Sequence, residues 1–520
     1  FLIRQLLGAV RKLKVACSSR DSARAVQDFV RIDQEIRPAT LDWSSVDGFD
    51  EVIRHGVSFT DASPERPLNL SLFEASGANI SYGLAESIQR TADYISSKLG
   101  VFDPGEWRFK HGPGAVSDHP FSSYKYEFDN WPDRLEEVFP IADFGYANYA
   151  MVPPHLYKES RGGRFIQEHP AVLHAVPKTI STPRLIACEP TSFQWCQQSV
   201  RDFLYTRVAE STLSSFVDFR RQGLNGDLAL AASRSGMHAT IDLSSASDRI
   251  SCWAVERLFR RSPSLLNALR ASRSLWLRQD ICRYSPKFIM LQKFSTMGNA
   301  TTFPVQSLFF LSVCLGVYFH KYGLKPSDRT IRALGKGTVR VFGDDIIVPA
   351  DCAVDTIDTL HALGLRVNPH KTFYSGKFRE SCGVDAFDGN NVTVASILDV
   401  PKRSGPGSVV SSVDVHNNLL AKGLCITAAH IRKTVERAVG NTIRYVAHGS
   451  GLFGWSDLVG SGPTRTKYRY NRHLQIREVY CLAPKSKSVL AASKEEPALL
   501  QFFSQRPEVM TAAESSLTYP

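Results

Sequence analysis

Residues 341–348 read Val-Phe-Gly-Asp-Asp-Ile-Ile-Val, which sets two adjacent carboxylates, Asp344 and Asp345, between apolar runs. Neighbouring carboxylates repel, and burying them without a cation drives a proton onto at least one of them. Gly343 frees the backbone for a tight bend and leaves room for a close ligand. Along a strand, successive side chains face opposite ways, whereas at a bend both can turn toward one cluster of cations. Gly-Asp is also ordinary chemistry for an exposed turn, so the pair by itself leaves both readings open. A second acidic strand end adds weight: Ile241-Asp242-Leu243 carries a carboxylate at the end of an apolar strand, and Asp248 follows a serine-rich loop. If those strands are neighbours in one sheet, Asp242, Asp344 and Asp345 can share two Mg²⁺ ions about 3.5–4 Å apart, with Mn²⁺ as the alternative. One ion of such a pair activates an attacking hydroxyl, and the other steadies a departing phosphate. Taken alone, Asp242 suits a turn or a helix cap equally well.

These acids need elements to hold them. Ala239-Thr240-Ile241 reads as a short strand, Ser244–Asp248 as a polar loop and Ile250–Arg261 as an amphipathic segment. Val339–Phe342 and Ile346–Val348 read as the arms of a hairpin with the acids at its bend, and Pro349 ends the second arm. The longest apolar run, Phe303–Phe319, contains Pro304, Gln306 and Ser307. It is shorter than the roughly 20 apolar residues of a membrane span, so a buried core helix is expected and no membrane partner. Leu84, Ile88, Ile95 and Leu99 recur at helical spacing and Gly100 stops that helix. Tyr124–Tyr157 reads as loop and short strand, Val354–Leu363 as an amphipathic helix, Ser404–Ser408 as a linker, 409–445 as largely helical and Arg465–Lys487 as a basic tail.

With 520 residues and a hydrophobic share of 43%, the chain is too large for one simple domain, so two or three lobes are expected. A charged share of 22% excludes a disordered chain. The net charge of +11 suits a polyanion such as nucleic acid, although a total does not say where the charge lies. None of the 10 Cys falls in a Cys-x-x-Cys pair, which argues for reduced, mostly buried thiols. No signal peptide is visible and residue 1 is Phe, so the natural start is expected to be missing or processed. The His residues show no metal-ligand spacing, and Walker A and His-Glu-x-x-His patterns are absent. Gly449, Gly451 and Gly454 spell a Gly-x-Gly-x-x-Gly after the strand-like Thr442–Ala447, but no clear helix follows, so a glycine-rich loop is expected there. Arg465, Lys467, Arg469, Arg472 and Arg477 alternate with Tyr468, Tyr470 and Tyr480. That segment reads equally as an RNA-tracking surface and as a solvated basic face.

Five stretches then fall in a telling order: Val176-Pro-Lys-Thr through Arg184-Leu-Ile-Ala-Cys-Glu-Pro190; Ile241-Asp-Leu-Ser-Ser-Ala-Ser-Asp248; Ser295-Thr-Met-Gly-Asn-Ala-Thr-Thr-Phe303; Phe342-Gly-Asp-Asp-Ile-Ile347; and Asn368-Pro-His-Lys-Thr372. With them the chain resembles viral RNA-dependent RNA polymerases, and more closely the replicase subunit of the single-stranded RNA bacteriophages, the leviviruses. His111-Gly-Pro-Gly-Ala115 is similar to a feature of those replicases. The likeness runs from about residue 110 to 390.

The resemblance implies an α+β right hand of fingers, palm and thumb with an antiparallel palm sheet. Residues 1–240 would be the N-terminal region and fingers, 241–400 the palm with a fingers insertion near 262–292, and 401–520 the thumb and C-terminal region. It implies template-directed RNA synthesis from ribonucleoside triphosphates on a single-stranded RNA template, in the cytoplasm of an infected bacterial host. Asp242 falls in the first palm motif, and Asp344 and Asp345 in the third. Asp248 is similar to the acid that senses the ribose, whose 2′-hydroxyl separates RNA from DNA precursors; it also suits a helix cap before Ile250. Gly298 permits a strained backbone near a base pair, while Ser295, Asn299 and Thr302 offer short hydrogen-bonding side chains; the same loop suits an N-cap for the next helix. Gln306 departs from the pattern, because many RNA polymerases carry Asn there. Lys178 and Arg184 would face the triphosphate, although without the resemblance they read as a solvated pair. Lys371 would be the general acid for departing pyrophosphate, or else a surface lysine. Glu380-Ser381-Cys382-Gly383 would open a hairpin that grips the primer end. Product RNA, host elongation factors Tu and Ts and ribosomal protein S1 are the further partners implied, though the sequence itself displays no docking site for them. Two rivals stand beside this reading. A reverse transcriptase also bends two Asp at a hairpin, with Asp248 and Gly343 favouring RNA synthesis. A non-catalytic RNA-binding protein would keep the basic charge but has no need of three carboxylates.

Overall fold

The computed structural model describes residues 1–46, 49, 70–72, 80–119, 125–152, 168–179, 182–335, 337–402, 405–440, 443–458, 468–482 and 495–504. Tyr124 and Tyr157, Ser404, Thr442, Arg465, Lys467 and Lys487, each part of an expected feature, lie outside these residues.

The chain is a mixed α+β structure whose core is organised around one buried helix, Thr302–Lys321. Most of this helix is buried on every side, as expected of a core element. It packs on the helix Tyr82–Leu99, which starts where Ser81 Oγ accepts from Leu84 N (3.3 Å) and stops at Gly100 (φ +78°). The two helices touch closely because Gly316 lacks a side chain: a Cβ there would sit 2.6 Å from Ile88 Cα. Ser87 Oγ donates to the Gly316 carbonyl (2.8 Å) across the same contact.

Against this helix lies a three-stranded antiparallel sheet of His238–Ile241, Asp345–Pro349 and Arg340–Phe342, with Asp345–Pro349 in the middle. The expected strand and hairpin both form. Residues 366–373 run along the free side of His238–Ile241, exchanging backbone hydrogen bonds between Thr240 and Phe373 (3.0 and 2.8 Å). A second sheet has the order Pro183–Cys188, Ala171–Pro177, Trp276–Arg278, Phe288–Met290. It joins the hairpin inside residues 262–292 to strands that precede the first acidic strand. After residue 405 come two helices, Pro406–Ala421 and Cys425–Val439, packed on each other.

The amphipathic segment Ile250–Arg261 forms the helix Cys252–Phe259, capped by Ser251, and the structure adds that its polar side is buried as well. That side is covered because the Glu256 carboxylate accepts from Leu41 N (2.9 Å) and Trp43 Nε1 (2.8 Å). Other expectations need correction. The supposed linker is no linker, because Gly405 and Pro406 open the helix Pro406–Ala421, and Pro suits a first turn where no N–H is needed. Among the described residues between Tyr124 and Tyr157 there are short helices, Asp133–Glu136 and Ile141–Phe144, and no strand. Tyr445–Ala447 is a strand, and Gly449, Gly451 and Gly454 lie in the loop to its parallel partner Trp455–Asp457, so no helix follows them.

Candidate active site

The sheet register brings the acids together. Ile241 pairs with Ile346 and Phe342 with Asp345, so one step further along the first pair Asp242 stands opposite Asp345. Gly343 and Asp344 form the bend. Gly343 has φ +63° and donates its N–H to Ser307 Oγ (3.0 Å). A Cβ there would meet Phe303 Cε2 at 3.0 Å and Gln306 Nε2 at 3.1 Å. The glycine is therefore demanded by the core helix beneath the bend as well as by the turn itself.

Burial and mutual repulsion set the electrostatics. Asp345 is pushed up to about 6, first by burial and next by Asp344, while the Cys382 backbone N–H pulls the other way. Ser381 Oγ lies 3.5 Å from its carboxylate. Asp242 is also raised by burial, against the pull of Lys371, with Asp344 and Glu380 adding to the rise. Asn368 Nδ2 donates to the Asp242 carboxylate (3.2 Å), and Asn368 N to the Asp242 carbonyl (2.9 Å). The Lys371 ammonium lies 3.6 Å from Asp242 and 3.5 Å from Glu380. Burial alone would lower Lys371, but Asp242 and Glu380 outweigh it and raise it. Glu380 and Ser381 belong to a hairpin, Phe378–Ser381 with Val384–Phe387, that turns at Cys382 and Gly383.

A cleft of about 640 Å³ opens beside the bend. Asp344, Asp248, Lys178 and Arg184 line it, together with Gly298, Asn299 and Thr302. Asp242, Asp345, Lys371 and Ser295 are not among its lining residues. Lys178 is lowered by burial and by Arg184, with Asp344 opposing. The loop before the core helix departs from expectation. Gly298 (φ +124°) is pressed against the strand Pro183–Cys188, where a Cβ would lie 1.8 Å from the Ala187 carbonyl oxygen. Its close approach is to protein backbone, reinforced by Ala187 N donating to Met297 O (2.7 Å). Ser295 is buried and shares a hydrogen bond with Thr302 (2.7 Å). Asn299 Oδ1 accepts from Thr301 N (2.8 Å) and Thr301 Oγ1 (2.7 Å), a local turn, while Thr301, the N-cap of the core helix, makes no side-chain cap bond, so the expected N-cap role of this loop is not seen.

Sequence reasoning missed one contributor, Lys293, and noted a second, Gln306, only as a departure from the family pattern. Lys293, fully buried, reaches Asp248 (3.2 Å) and approaches Asp33 (4.0 Å) on the helix Ser19–Glu35, whose carboxylate also accepts Lys293 N (3.0 Å). The Lys293 ammonium sits 3.3 Å from the Phe29 ring centroid. Asp248 is thus tied to a buried cation, and the same N-terminal helix contributes Asp21, Arg24 and Asp28 to the cleft wall. The second contributor is Gln306, which lines the cleft with its Oε1 buried and without a hydrogen-bond partner, as is Ser247 Oγ. Buried polar atoms left unpaired call for a further polar contact.

The donor set suits a hard divalent cation, being carboxylate oxygens that raise one another's affinity for protons. Among the described residues, no three His, Cys, Asp or Glu side chains are drawn onto one centre as they stand.

An acidic residue at a strand bend and two basic side chains line one polar cleft of this α+β chain. The chain is similar to bacteriophage replicases: residues 150–398 match the family described as RNA replicase, beta-chain. The RNA-directed RNA polymerase beta chain of Enterobacteria phage fr is 34% identical over 238 residues, 46% of this chain and 39% of that one. The corresponding subunit of Qbeta virus (strain MX1) is 35% identical over 219 residues, 42% of this chain and 34% of its own, and that of Escherichia phage MS2 is 35% identical over 217 residues, 42% and 36%. The chain thus spans less than half the length of these relatives in the matched region. Among solved structures, the RNA-dependent RNA polymerase of a human picorbirnavirus aligns with a TM-score of 0.38 at 12% identity, covering 52% of this chain and 57% of that one.

Proposed function

We propose that this chain is the catalytic subunit of an RNA-dependent RNA polymerase that copies a viral RNA genome. It would join ribonucleoside triphosphates on a single-stranded RNA template in the cytoplasm of an infected bacterium. The observation that carries the reading is the register that sets Asp242 opposite Asp345, with Asp344 at the adjoining bend and lining the cleft. A protein that only bound RNA would gain nothing from three carboxylates that disfavour one another's charge.

In this reading the palm is built on the acidic sheet within 241–400, the fingers on the second sheet with the 262–292 insertion, and the thumb on the helices after 401. Asp242, Asp344 and Asp345 would hold two Mg²⁺ or Mn²⁺ ions. When bound, such ions activate an attacking 3′-hydroxyl and neutralise the charge of departing pyrophosphate. Lys178 and Arg184 meet the triphosphate from the other side of the cleft, Arg184 as a fork and Lys178 as a compact charge. Asp248, held 3.2 Å from Lys293, would accept a hydrogen bond from the ribose. The unpaired Oε1 of Gln306 and Oγ of Ser247 are further polar groups available to a nucleotide in the same cleft. Ser295 and Thr302 brace the loop, with Gly298 and Asn299 forming its turn at the cleft wall. Lys371, kept protonated by Asp242 and Glu380, is suited to give a proton to pyrophosphate.

Asp344→Asn tests the reading directly. Incorporation of labelled ribonucleotides at physiological Mg²⁺ should be abolished, with RNA binding largely retained. Full incorporation by that variant would end the assignment. Parallel reactions with deoxyribonucleotides separate this activity from reverse transcription. Host elongation factors Tu and Ts and ribosomal protein S1 are proposed as partners on the resemblance to phage replicases, and comparing purified chain with and without host extract tests their part.

A further inference from the structure

Outside the segment that matches the replicase family, residues 468–479 form a two-stranded antiparallel hairpin, Tyr468–Asn471 with Ile476–Val479. Its register pairs Tyr468 with Val479, Arg469 with Glu478, Tyr470 with Arg477 and Asn471 with Ile476. Opposite residues share a face and neighbours alternate, so Tyr468, Tyr470, Arg477 and Val479 stand on one side and Arg469, Asn471, Ile476 and Glu478 on the other. The second side satisfies itself: Glu478 accepts from Arg469 Nε and from Asn471 Nδ2 (2.9 Å). Glu478 is the only acidic residue of 468–482, so the hairpin places no carboxylate of its own on the first side. There the Arg477 guanidinium lies 3.7 Å from the Tyr468 ring centroid, and Tyr468 and Tyr470 are 64% and 62% exposed. Just past the strand, Tyr480 is equally open, with Arg444 5.1 Å from its centroid.

We propose that the Tyr468, Tyr470 and Arg477 face binds single-stranded RNA outside the polymerisation cleft. Two-stranded hairpins are marginal on their own, so rings displayed on both-sides-exposed strands do not serve a core. The two tyrosines stand about 7 Å apart along the strand, comparable to the repeat of an extended nucleotide chain. Each ring can stack on a base whatever its identity, and Arg477 meets the phosphates. The unopposed positive charge and the chain's net +11 favour a polyanion over a protein partner. The inference rests on the polymerase reading only for why RNA is the strand at hand.

The test uses the full chain and a fluorescein-labelled oligouridylate of about 30 nucleotides, measured by anisotropy in EDTA without nucleotides. Tyr468→Ala/Tyr470→Ala should weaken binding about tenfold or more, since one stacked base is worth about that factor. Tyr468→Phe/Tyr470→Phe should bind within about twofold of the parent, because a ring still stacks. Arg477→Gln should reduce the salt slope by about one charge. Duplex RNA of the same length, whose bases are not free to stack, should bind the parent, the Ala pair and the Phe pair alike. Unchanged oligouridylate binding by the Ala pair, which would leave the face to a protein partner, overturns the proposal. So does an equal loss in the Phe pair. Failure here leaves the cleft assignment standing, because no phosphodiester is made in the assay and the Asp344→Asn result is read separately.

Discussion

Asp345→Asn should make the metal-free protein more stable at neutral pH while removing its activity. The folded carboxyl of Asp345 is raised from 3.8 to about 6, by burial first and Asp344 second. A raised acid holds its proton more tightly folded than unfolded, so carrying the charge costs stability. That cost is absent below about pH 4, grows between about pH 4 and pH 6, and is constant above. Two pKa units at about 1.36 kcal/mol each give a cost of roughly 3 kcal/mol. Asn removes the charge but keeps an oxygen to accept from Ser381 and the Cys382 N–H, so most of that cost is recovered. For a chain of 520 residues, an unfolding entropy of about 2.1 cal/mol/K per residue converts 3 kcal/mol into a midpoint rise of roughly 3 °C. The assay is thermal unfolding in EDTA of both proteins from pH 4 to pH 7.5, beside nucleotide incorporation at pH 7.5. Added Mg²⁺ should then raise the parent's midpoint more than the variant's. A variant less stable than the parent at pH 7.5, or a difference that does not shrink toward pH 4, refutes the account of a strained, cation-seeking carboxylate.

Lys293→Met should cost about 3–5 kcal/mol, because it strands the Asp33 and Asp248 carboxylates beside a buried apolar chain; denaturant unfolding measures it. Gly298→Ala should cost about 2–4 kcal/mol or displace the loop from Ala187, read as lower stability together with a raised KM for nucleotides. Lys371→Ala should slow incorporation by about 10²–10⁴-fold with little change in RNA affinity, checked by single-turnover kinetics. RNA affinity of the whole chain should fall steeply between low and moderate salt, and a flat response would exclude an extended phosphate-lined channel.

The acidic hairpin could be read from sequence because its information is local. Gly343 and Asp344 sit between two short apolar runs, and a two-residue turn fixes register without help from the rest of the chain. The core helix Thr302–Lys321 could be read for a similar reason, since an uninterrupted apolar stretch needs burial wherever it goes. Lys178, Arg184 and Asp248 are readable as phosphate- and ribose-directed residues only through the resemblance to a family, not from their own pattern. What could not be read was which side chain closes each charge.

Asp248 illustrates why. Its partner Lys293 is 45 positions away, and Asp33, which shares that lysine, is 260 positions from it. Nothing in the pattern around Lys293 distinguishes it from an exposed lysine, because burial is a property of the assembled surfaces. The helix Ser19–Glu35 did carry local signals, with Ser18 accepting from Asp21 N, yet such signals say where a helix starts and not which wall it covers. Gly298 follows the same rule: its strained backbone is legible in the sequence, but the atom it makes room for, the Ala187 carbonyl oxygen, lies on another strand. The cleft therefore depends on N-terminal residues that lie outside the family-matched segment. Removing the Asp33 carboxylate should disturb ribose selection through Lys293 although Asp33 touches no substrate. An Asp33→Asn variant that discriminates ribo- from deoxyribonucleotides as well as the parent would show that Lys293 holds Asp248 in place unaided.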